Sequence, residues 1–190
     1  MNIKSLIQKN RSYRRFHQEK TISNKTLVDL VDLARLSASG ANLQPLKFIL
    51  SCTPERNEKI FSTLAWAGYL KDWTGPAEGE KPAAYIIILG DSNITKSFGC
   101  DQGIAAQSIL LGAVEKGWGG CILGSIQRKE LREKLQIPSQ LEILLVIALG
   151  KPAEKVEIET SKADGNIKYW RDEKDVHHVP KRPLEEIIVD

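Results

Sequence analysis

A short basic segment near the start of the sequence, residues 11–16 (RSYRRF), carries the residue types that bind phosphate. It places three guanidinium groups next to the hydroxyl of Ser12. Arginine forms paired, charge-assisted hydrogen bonds to phosphate oxygens, and a serine hydroxyl adds a neutral donor. The alternative interpretation is a solvated basic turn, which is the more common role of such a segment taken alone.

Two further segments combine small or polar residues with glycines, which give the backbone conformational freedom. Residues 37–45 (SASGANLQP) offer hydroxyl, amide and backbone groups to the polar rim of a flat heteroaromatic ligand. Residues 117–125 (GWGGCILGS) contain glycines, which let a backbone approach such a ligand closely. Each has a simpler explanation: a loop of turn-forming residues in the first case, and a helix cap with a tight turn in the second.

Several common catalytic motifs are missing from the sequence. It has no GxxxxGK(S/T) phosphate loop, and the glycines at 117–120 follow a predicted helix and precede a predicted strand, the reverse of the Rossmann order. His177 and His178 are adjacent, with no third ligand at a recognisable spacing, so we expect no metal site. No Ser or Cys lies in a nucleophile elbow.

The elements that position these segments can be predicted from hydrophobic periodicity and turn residues. We predict a helix that begins after the N-cap Ser23, and further helices over residues 2–9, 54–64, 101–116 and 129–135. We predict strands over residues 46–52, 84–89, 121–123 and 142–149, and an ordered loop over residues 66–82. The tail after Gly150 is polar, but its apolar run at 187–189 predicts a strand. Interspersed helices and strands indicate a layered α/β or α+β domain.

Length, composition and charge narrow the class of protein. The chain has 190 residues, 42% of them hydrophobic and 27% charged, which suits one folded domain over residues 1–190. A net charge of +3, without a concentrated basic stripe, argues against a nucleic-acid partner. We expect no signal peptide, because polar residues interrupt the apolar residues of segment 1–10. No apolar run reaches membrane-spanning length, and the three cysteines are widely spaced. We therefore expect no membrane association and a cytoplasmic location.

Taken together and in order, these segments resemble the FMN-dependent nitroreductase family. That family opens with Arg-Ser-x-Arg (residues 11–14 here) and continues with a small-residue loop that ends in Asn-x-Gln-Pro (residues 42–45). A helix with the pattern Asp-x-(Gly/Ala)-x-Ala-Ala-Gln (residues 101–107) follows and leads to Gly-x-Gly (residues 117–119). Cys-x-x-Gly (residues 121–124) and Gly-x-Pro (residues 150–152) come next, and a basic pair before Pro-Leu-Glu-Glu (residues 181–186) closes the pattern. Six motifs in the family's order span nearly the whole chain.

The resemblance implies an α+β fold, with a central, mostly antiparallel sheet flanked by helices and two chains intertwined as a homodimer. It implies FMN as the cofactor, bound where the two chains meet. Carried over position by position, Arg11 and Ser12 hold the FMN phosphate, together with Lys181 and Arg182 from the tail. Arg14 lies nearer the pyrimidine edge of the flavin, where a fixed positive charge stabilises the reduced form.

The other two segments are implied to contact the flavin ring. Ser39 and Asn42 reach it from the partner chain. The backbone of Ile122, Leu123, Gly124 and Ser125 lies along one face, with the Gly124 amide near N5, the flavin atom that receives hydride. No catalytic side chain is required, because the reaction belongs to the cofactor.

The implied activity is an oxidoreductase that transfers hydride from NAD(P)H through the flavin to a small acceptor, such as a nitroaromatic or a quinone, with ping-pong kinetics. A specialised flavin enzyme, such as a dehalogenase or an oxygen-using member, is one alternative. A flavin-binding or anion-binding module without turnover is another, and a nucleic-acid-binding module is a third and weaker one.

Overall fold

The computed structural model describes residues 1–161 and 165–189. The helices are α1 (Ile3–Lys9), α2 (Asn24–Arg35), α3 (Pro54–Phe61), α4 (Asp101–Glu115) and α5 (Arg128–Leu135). The strands are β1 (Leu46–Ser51), β2 (Ala84–Asp91), β3 (Gly119–Leu123), β4 (Leu141–Gly150), β5 (Val156–Thr160), β6 (Trp170–Arg171) and β7 (His177–Lys181). Two 3-10 turns cover Gly40–Asn42 and Leu184–Glu186. No helix in these ranges is long and apolar enough to cross a membrane.

The central sheet has the strand order β1-β2-β4-β3, and every neighbouring pair is antiparallel. Side chains of β2 alternate between two cores, because successive residues of a strand point to opposite faces. Ile86 and Ile88 pack with α2 and α4 on one face, and Ile87 and Leu89 pack with α3 and α5 on the other. The predicted α+β fold, an antiparallel sheet flanked by helices, is confirmed.

Helix α2 begins where the sequence predicts, because the Ser23 hydroxyl accepts a hydrogen bond from the Thr26 amide at 3.1 Å. It packs closely on α4 at Gly112, where an added Cβ would lie 2.2 Å from Leu33 Cδ1. Helix α4 is therefore largely buried within its own chain. This internal packing explains its apolar composition.

The tail contains structure that the sequence analysis missed. Strand β7 pairs in parallel with β5 and antiparallel with β6, which forms a second, three-stranded sheet. The strand predicted at 187–189 is wrong. The amides of Ile187 and Ile188 instead donate to the Leu184 carbonyl of the preceding 3-10 turn, and Val189 is 92% exposed. Those amides are thus committed to a local turn rather than to a strand ladder.

Candidate functional site

A cavity of about 350 Å³ brings together several of the residues singled out in the sequence. It lies between the segment after α1, helix α4, strand β3 and the tail sheet. Five predicted site residues line it, namely Arg11, Ser12, Arg14, Ile122 and Lys181. Asn10, Gln107, Leu110, Tyr169, His177 and Val179 complete its walls. The two ends of the chain therefore meet at one site.

The basic segment is held in place by the edge strand β3. Ser12 forms an isolated parallel bridge with Gly120, and the Tyr13 amide donates to the Gly120 carbonyl at 3.0 Å. Phe16 anchors the far end of the segment, because its side chain is completely buried and it bridges to Pro152. Arg15 turns away from the cavity and pairs with Glu80 and Asp175. Two of the three arginines are thus left at the cavity.

The glycines before the cavity serve packing rather than ligand approach. A Cβ on Gly119 would lie 2.6 Å from the Tyr13 ring, and one on Gly120 would lie 2.5 Å from the Ala148 carbonyl oxygen. These two positions therefore allow segment 11–16 and the neighbouring strand to come close. Gly124 differs, since a Cβ there would meet nothing within 4 Å. Of these glycines, Gly124 leaves its backbone open to a ligand.

The cavity is electropositive. Arg11, Arg14 and Lys181 line it, and no carboxylate is among its lining residues in the described part of the chain. His177 adds no charge at neutral pH. Burial, reinforced by the nearby charges of Arg14 and Arg171, lowers its pKa to about 4. Such a site favours an anion, and arginines bind phosphate and carboxylate groups through paired, charge-assisted hydrogen bonds.

Arg11 has hydrogen-bonding capacity left over. Its Nη2 donates to the Ile7 carbonyl at 2.7 Å, while its Nε is buried without a hydrogen-bond partner in the described structure. Burial lowers the pKa of this guanidinium, although tyrosine at position 13 partly opposes the shift. A buried donor without a partner is unfavourable, and a bound anion would relieve it.

Glu154 ties the basic segment to the tail. Its carboxylate accepts hydrogen bonds from the backbone amides of Arg14 and Arg15 and, at 2.9 Å, from Nη2 of Arg171. Its side chain is only 2% exposed. Arg171 in turn stacks over the Trp73 ring, 4.5 Å from its centroid, so loop 66–82 joins the same network. The predicted ordered loop is therefore attached to the site region.

The small-residue loop that contains Ser39 and Asn42 does not line this cavity. The Ser39 hydroxyl donates to Oδ2 of Asp101 at 2.6 Å, and the Gly40 amide donates to Oδ1 at 2.9 Å. Asp101 is only 6% exposed, at the start of α4. Ala41, Asn42 and Gln44 have φ angles of 48°, 55° and 50°, a region that non-glycine residues rarely adopt. The loop thus holds an unusual shape on a buried carboxylate.

Replacing Asp101 with alanine is expected to loosen this loop. The change removes both charge-assisted hydrogen bonds, and we expect a loss of about 1.5–3 kcal/mol in the free energy of unfolding. Amide hydrogen exchange over residues 39–44 should accelerate, and Asp101→Asn, which keeps one acceptor, should show a smaller effect. Unchanged exchange in the alanine variant would mean that the loop is held by other contacts.

Four other predicted positions, Leu123, Gly124, Ser125 and Arg182, lie off the cavity wall. Leu123 is buried in the core between β3 and α5, so that only its backbone is available to a ligand. Ser125 is exposed, and its carbonyl accepts a hydrogen bond from Ala65. Arg182 pairs with Glu186 at 3.0 Å and is not among the cavity-lining residues. In the single chain, Lys181 rather than Arg182 presents its charge to the cavity.

Sequence reasoning missed the residues that the tail and α4 bring to the cavity. Gln107 stood in the quoted Asp-to-Gln helix motif, which was the signal that could have found it. His177 was considered only as a metal ligand, and Tyr169 carried no sequence signal. Within the described residues, no group of three or more His, Cys, Asp or Glu side chains is arranged to hold a metal ion.

Comparisons with known proteins define the class of protein to which this chain belongs. The model of the Nitroreductase family matches residues 7–151. A protein of Archaeoglobus fulgidus, named provisionally as an NADH dehydrogenase/NAD(P)H nitroreductase, is 27% identical over 149 residues, covering 74% of this chain and 80% of that protein. The iodotyrosine deiodinase of Thermotoga neapolitana is 25% identical over 163 residues, covering 77% and 87%.

Solved structures share the fold. A nitroreductase family protein from Streptococcus pneumoniae has a TM-score of 0.73 at 17% identity and covers 100% of both chains. An FMN-dependent nitroreductase from Clostridium difficile has a TM-score of 0.65 at 21% identity, over 86% of this chain and 94% of that one. This chain therefore belongs to the nitroreductase family, and it is an oxidoreductase enzyme.

Proposed function

We propose that this chain is an FMN-dependent oxidoreductase that takes hydride from NAD(P)H and passes electrons to a small acceptor. The observation that carries the proposal is the cavity in which Arg11, Ser12, Arg14 and Lys181 converge without a lining carboxylate among the described residues. The names of two relatives, an NAD(P)H nitroreductase and an FMN-dependent nitroreductase, support the same assignment.

The residues present fit FMN. The cavity volume of about 350 Å³ lies within the ~300–1,000 Å³ of ordinary small-molecule sites. Arg11 offers an unpartnered Nε, and Ser12 and Lys181 add a neutral and a charged group for a phosphate. Arg14 would place its positive charge at the pyrimidine edge, and Ile122 would lie against one face of the ring. The open backbone at Gly124 would lie near N5.

Bound FMN would supply the redox chemistry itself, accepting hydride and returning electrons in ping-pong order. The protein would bind the phosphate, orient the ring and hold the Arg14 charge where the reduced ring is anionic. Leu123 and Ser125 would contribute through backbone atoms alone. Arg182 would contribute only after leaving Glu186.

We propose that the working form is a homodimer, in which Ser39 and Asn42 of one copy complete the flavin site of the other. Large apolar side chains are exposed on α1, α2 and the tail, including Ile3, Ile7, Val28, Leu36, Leu184, Ile187 and Val189. Burying them would give an obligate interface, typically larger than ~2,000 Å². Light scattering should find a dimer at micromolar concentration, and a stable FMN-loaded monomer would contradict it.

The direct test is the absorption spectrum of the purified protein. We expect bound oxidised FMN, bleaching by NADH or NADPH in the absence of oxygen, and recovery of colour when a nitroaromatic or quinone is added. A protein that binds no flavin would overturn the proposed function. A yellow protein that neither nicotinamide bleaches would support flavin binding without reductase turnover.

Arg11→Ala should weaken FMN binding by about 1.5–3 kcal/mol, the scale of a charge-assisted hydrogen bond, which corresponds to roughly a 10- to 150-fold rise in Kd. The fold should persist, because Arg11 donates only to the Ile7 carbonyl among the described residues. Titration of apoprotein with FMN measures the effect. Arg35→Ala, at a surface ion pair with Asp32, is the control and should bind FMN like the wild type.

A dehalogenating activity is the second candidate, because the deiodinase from Thermotoga neapolitana is among the similar sequences. Tyr169 lines the cavity, and the Tyr69 ring lies beside it with 4.9 Å between the ring centroids, so a halogenated phenol could stack on Tyr169. Release of iodide from iodotyrosine by the reduced protein, faster than reduction of any nitroaromatic, would favour this activity over the first.

A further inference from the structure

The tail sheet contributes to the cavity although it lies outside residues 7–151, which the family model matches. Strand β7 places His177, Val179 and Lys181 on the cavity wall, and Tyr169 precedes β6. These side chains are therefore features of this chain's own tail. Among them, His177 makes the closest polar contact with the basic segment.

His177 and Arg14 are directly hydrogen-bonded. Nη1 of Arg14 lies 3.1 Å from Nε2 of His177, and the same nitrogen donates to the Ser12 carbonyl at 3.3 Å. A guanidinium has donors only, so Nε2 must accept and the imidazole proton must lie on Nδ1. The guanidinium also lies over the Tyr169 ring, with 4.7 Å between Cζ and the ring centroid. Arg14 is thus held on two sides.

The groups that hold the Arg14 guanidinium are electrically neutral. The Ser12 carbonyl and the Tyr169 ring carry no charge, and His177 is neutral because its pKa lies far below neutrality. The Glu154 carboxylate bonds to the Arg14 backbone amide, not to its side chain. A carboxylate partner would fix the guanidinium but would also offset its charge. Here the position is fixed while the charge stays available.

Arg14 retains donors for a ligand. The hydrogen bonds to Ser12 and His177 both use Nη1, one of the two terminal nitrogens, and the buried Cys121 thiol, a neutral group, lies beside the same guanidinium. Arg14 lines the cavity, so an anionic group bound there would meet a guanidinium that is oriented but not neutralised. This combination favours whichever form of a ligand carries more negative charge.

We infer that His177 is a positioning residue that holds Arg14 in the cavity through a neutral hydrogen bond, so that the full guanidinium charge favours an anionic ligand. The inference rests on the proposed function in one respect, namely that this ligand is the flavin. His177 then raises the affinity of the site for reduced, anionic FMN relative to oxidised FMN. It acts through Arg14 and touches no reacting atom.

The hydrogen bond can be tested without any flavin. ¹⁵N NMR of the ligand-free protein should show His177 as the Nδ1-protonated tautomer, with its signals assigned by their loss in His177→Gln. Replacement of Arg14 with Met, which removes the donor, should change the tautomer ratio. An Nε2-protonated His177 in the wild type would overturn the inference, because that nitrogen could not then accept from Arg14.

The effect on charge is tested by the reduction potential of bound FMN in three variants. His177→Gln keeps a neutral acceptor and should stay near the wild-type potential. His177→Glu offsets the Arg14 charge, and we expect the preference for reduced over oxidised FMN to fall about tenfold, which is about 30 mV for a two-electron couple. In His177→Leu, which removes the hydrogen bond that holds the guanidinium, we expect the preference for reduced over oxidised FMN to fall several-fold.

His178→Gln is the matched control. His178 is the adjacent histidine, stacked on Trp170 and absent from the cavity lining, so its replacement should leave the potential unchanged. Wild-type potentials in both His177→Glu and His177→Leu, with FMN still bound, would overturn the inference and leave the proposed function standing. A wild-type protein that takes up no FMN would instead overturn the proposed function, and the tautomer measurement would still decide the Arg14–His177 contact.

Discussion

Glu154→Ala is expected to lower the free energy of unfolding by about 3–5 kcal/mol, the usual cost of removing one partner of a buried ion pair. The Glu154 and Arg171 side chains are 2% and 10% exposed. Removal of the carboxylate leaves the Arg171 guanidinium in a poorly solvated place without its counter-charge. It also leaves the backbone amides of Arg14 and Arg15 without their acceptor.

Urea unfolding followed by tryptophan fluorescence measures this loss, and Trp73, which stacks on Arg171, reports locally. Glu157→Ala is a matched control, because Glu157 pairs with Lys155 at the exposed surface and should be close to neutral. The loss in the free energy of unfolding for Glu154→Gln should lie between those of the two alanine variants, since the glutamine amide oxygen can still accept one hydrogen bond. A loss below about 1 kcal/mol in Glu154→Ala would show that the tail is anchored elsewhere.

The double variant Arg11→Ala, Lys181→Ala is expected to weaken FMN binding by about 3–5 kcal/mol, which is a 10²- to 10⁴-fold rise in Kd. Both cations line the same cavity, and no carboxylate among its described lining residues competes for them. Because they would share one phosphate, we expect a coupling free energy of about 0.5–3 kcal/mol between the two single substitutions.

Arg182→Ala provides the comparison that separates the two tail cations. Arg182 pairs with Glu186 and is not among the cavity-lining residues, so its loss should weaken FMN binding less than the loss of Lys181. Fluorescence titration with FMN gives the affinities of five apoproteins: the wild type, the three single variants and the double variant. An Arg182→Ala variant that binds as weakly as Lys181→Ala would mean that Arg182 leaves Glu186 and turns to the phosphate.

The sequence predicts the central sheet and its helices well, because their signals are local. Ile86–Leu89 form an unbroken β-branched and apolar run, and Ser23 is followed by a helical repeat. The order of the motifs predicts the Arg-Ser segment and Lys181 as site residues, since each lies within a motif of the family pattern. Their placement at one cavity confirms only that they converge.

The tail sheet could not be predicted in the same way. Its strands are short and half-exposed, and β6 covers only Trp170–Arg171, so the pattern of alternation has too few residues to read. Its contribution depends on long-range pairing, as between Glu154 and Arg171 or Arg14 and His177. The direction of Arg182 was missed for a different reason, because a local partner, Glu186, competes with a distant ligand.

The cavity joins residues that are 163 positions apart along the chain, as measured between Arg14 and His177. During synthesis, the chain can complete its central sheet once β4, which ends at Gly150, has emerged from the ribosome. At that point Tyr169, His177 and Lys181, which form part of the cavity wall, have not yet folded onto the domain. Closing so long a loop is slow and entropically costly, so this site should be among the last parts to form. A ligand held there would bridge both termini. Retention of ligand would then report that synthesis has reached the tail, and it would protect both ends from proteolysis at once.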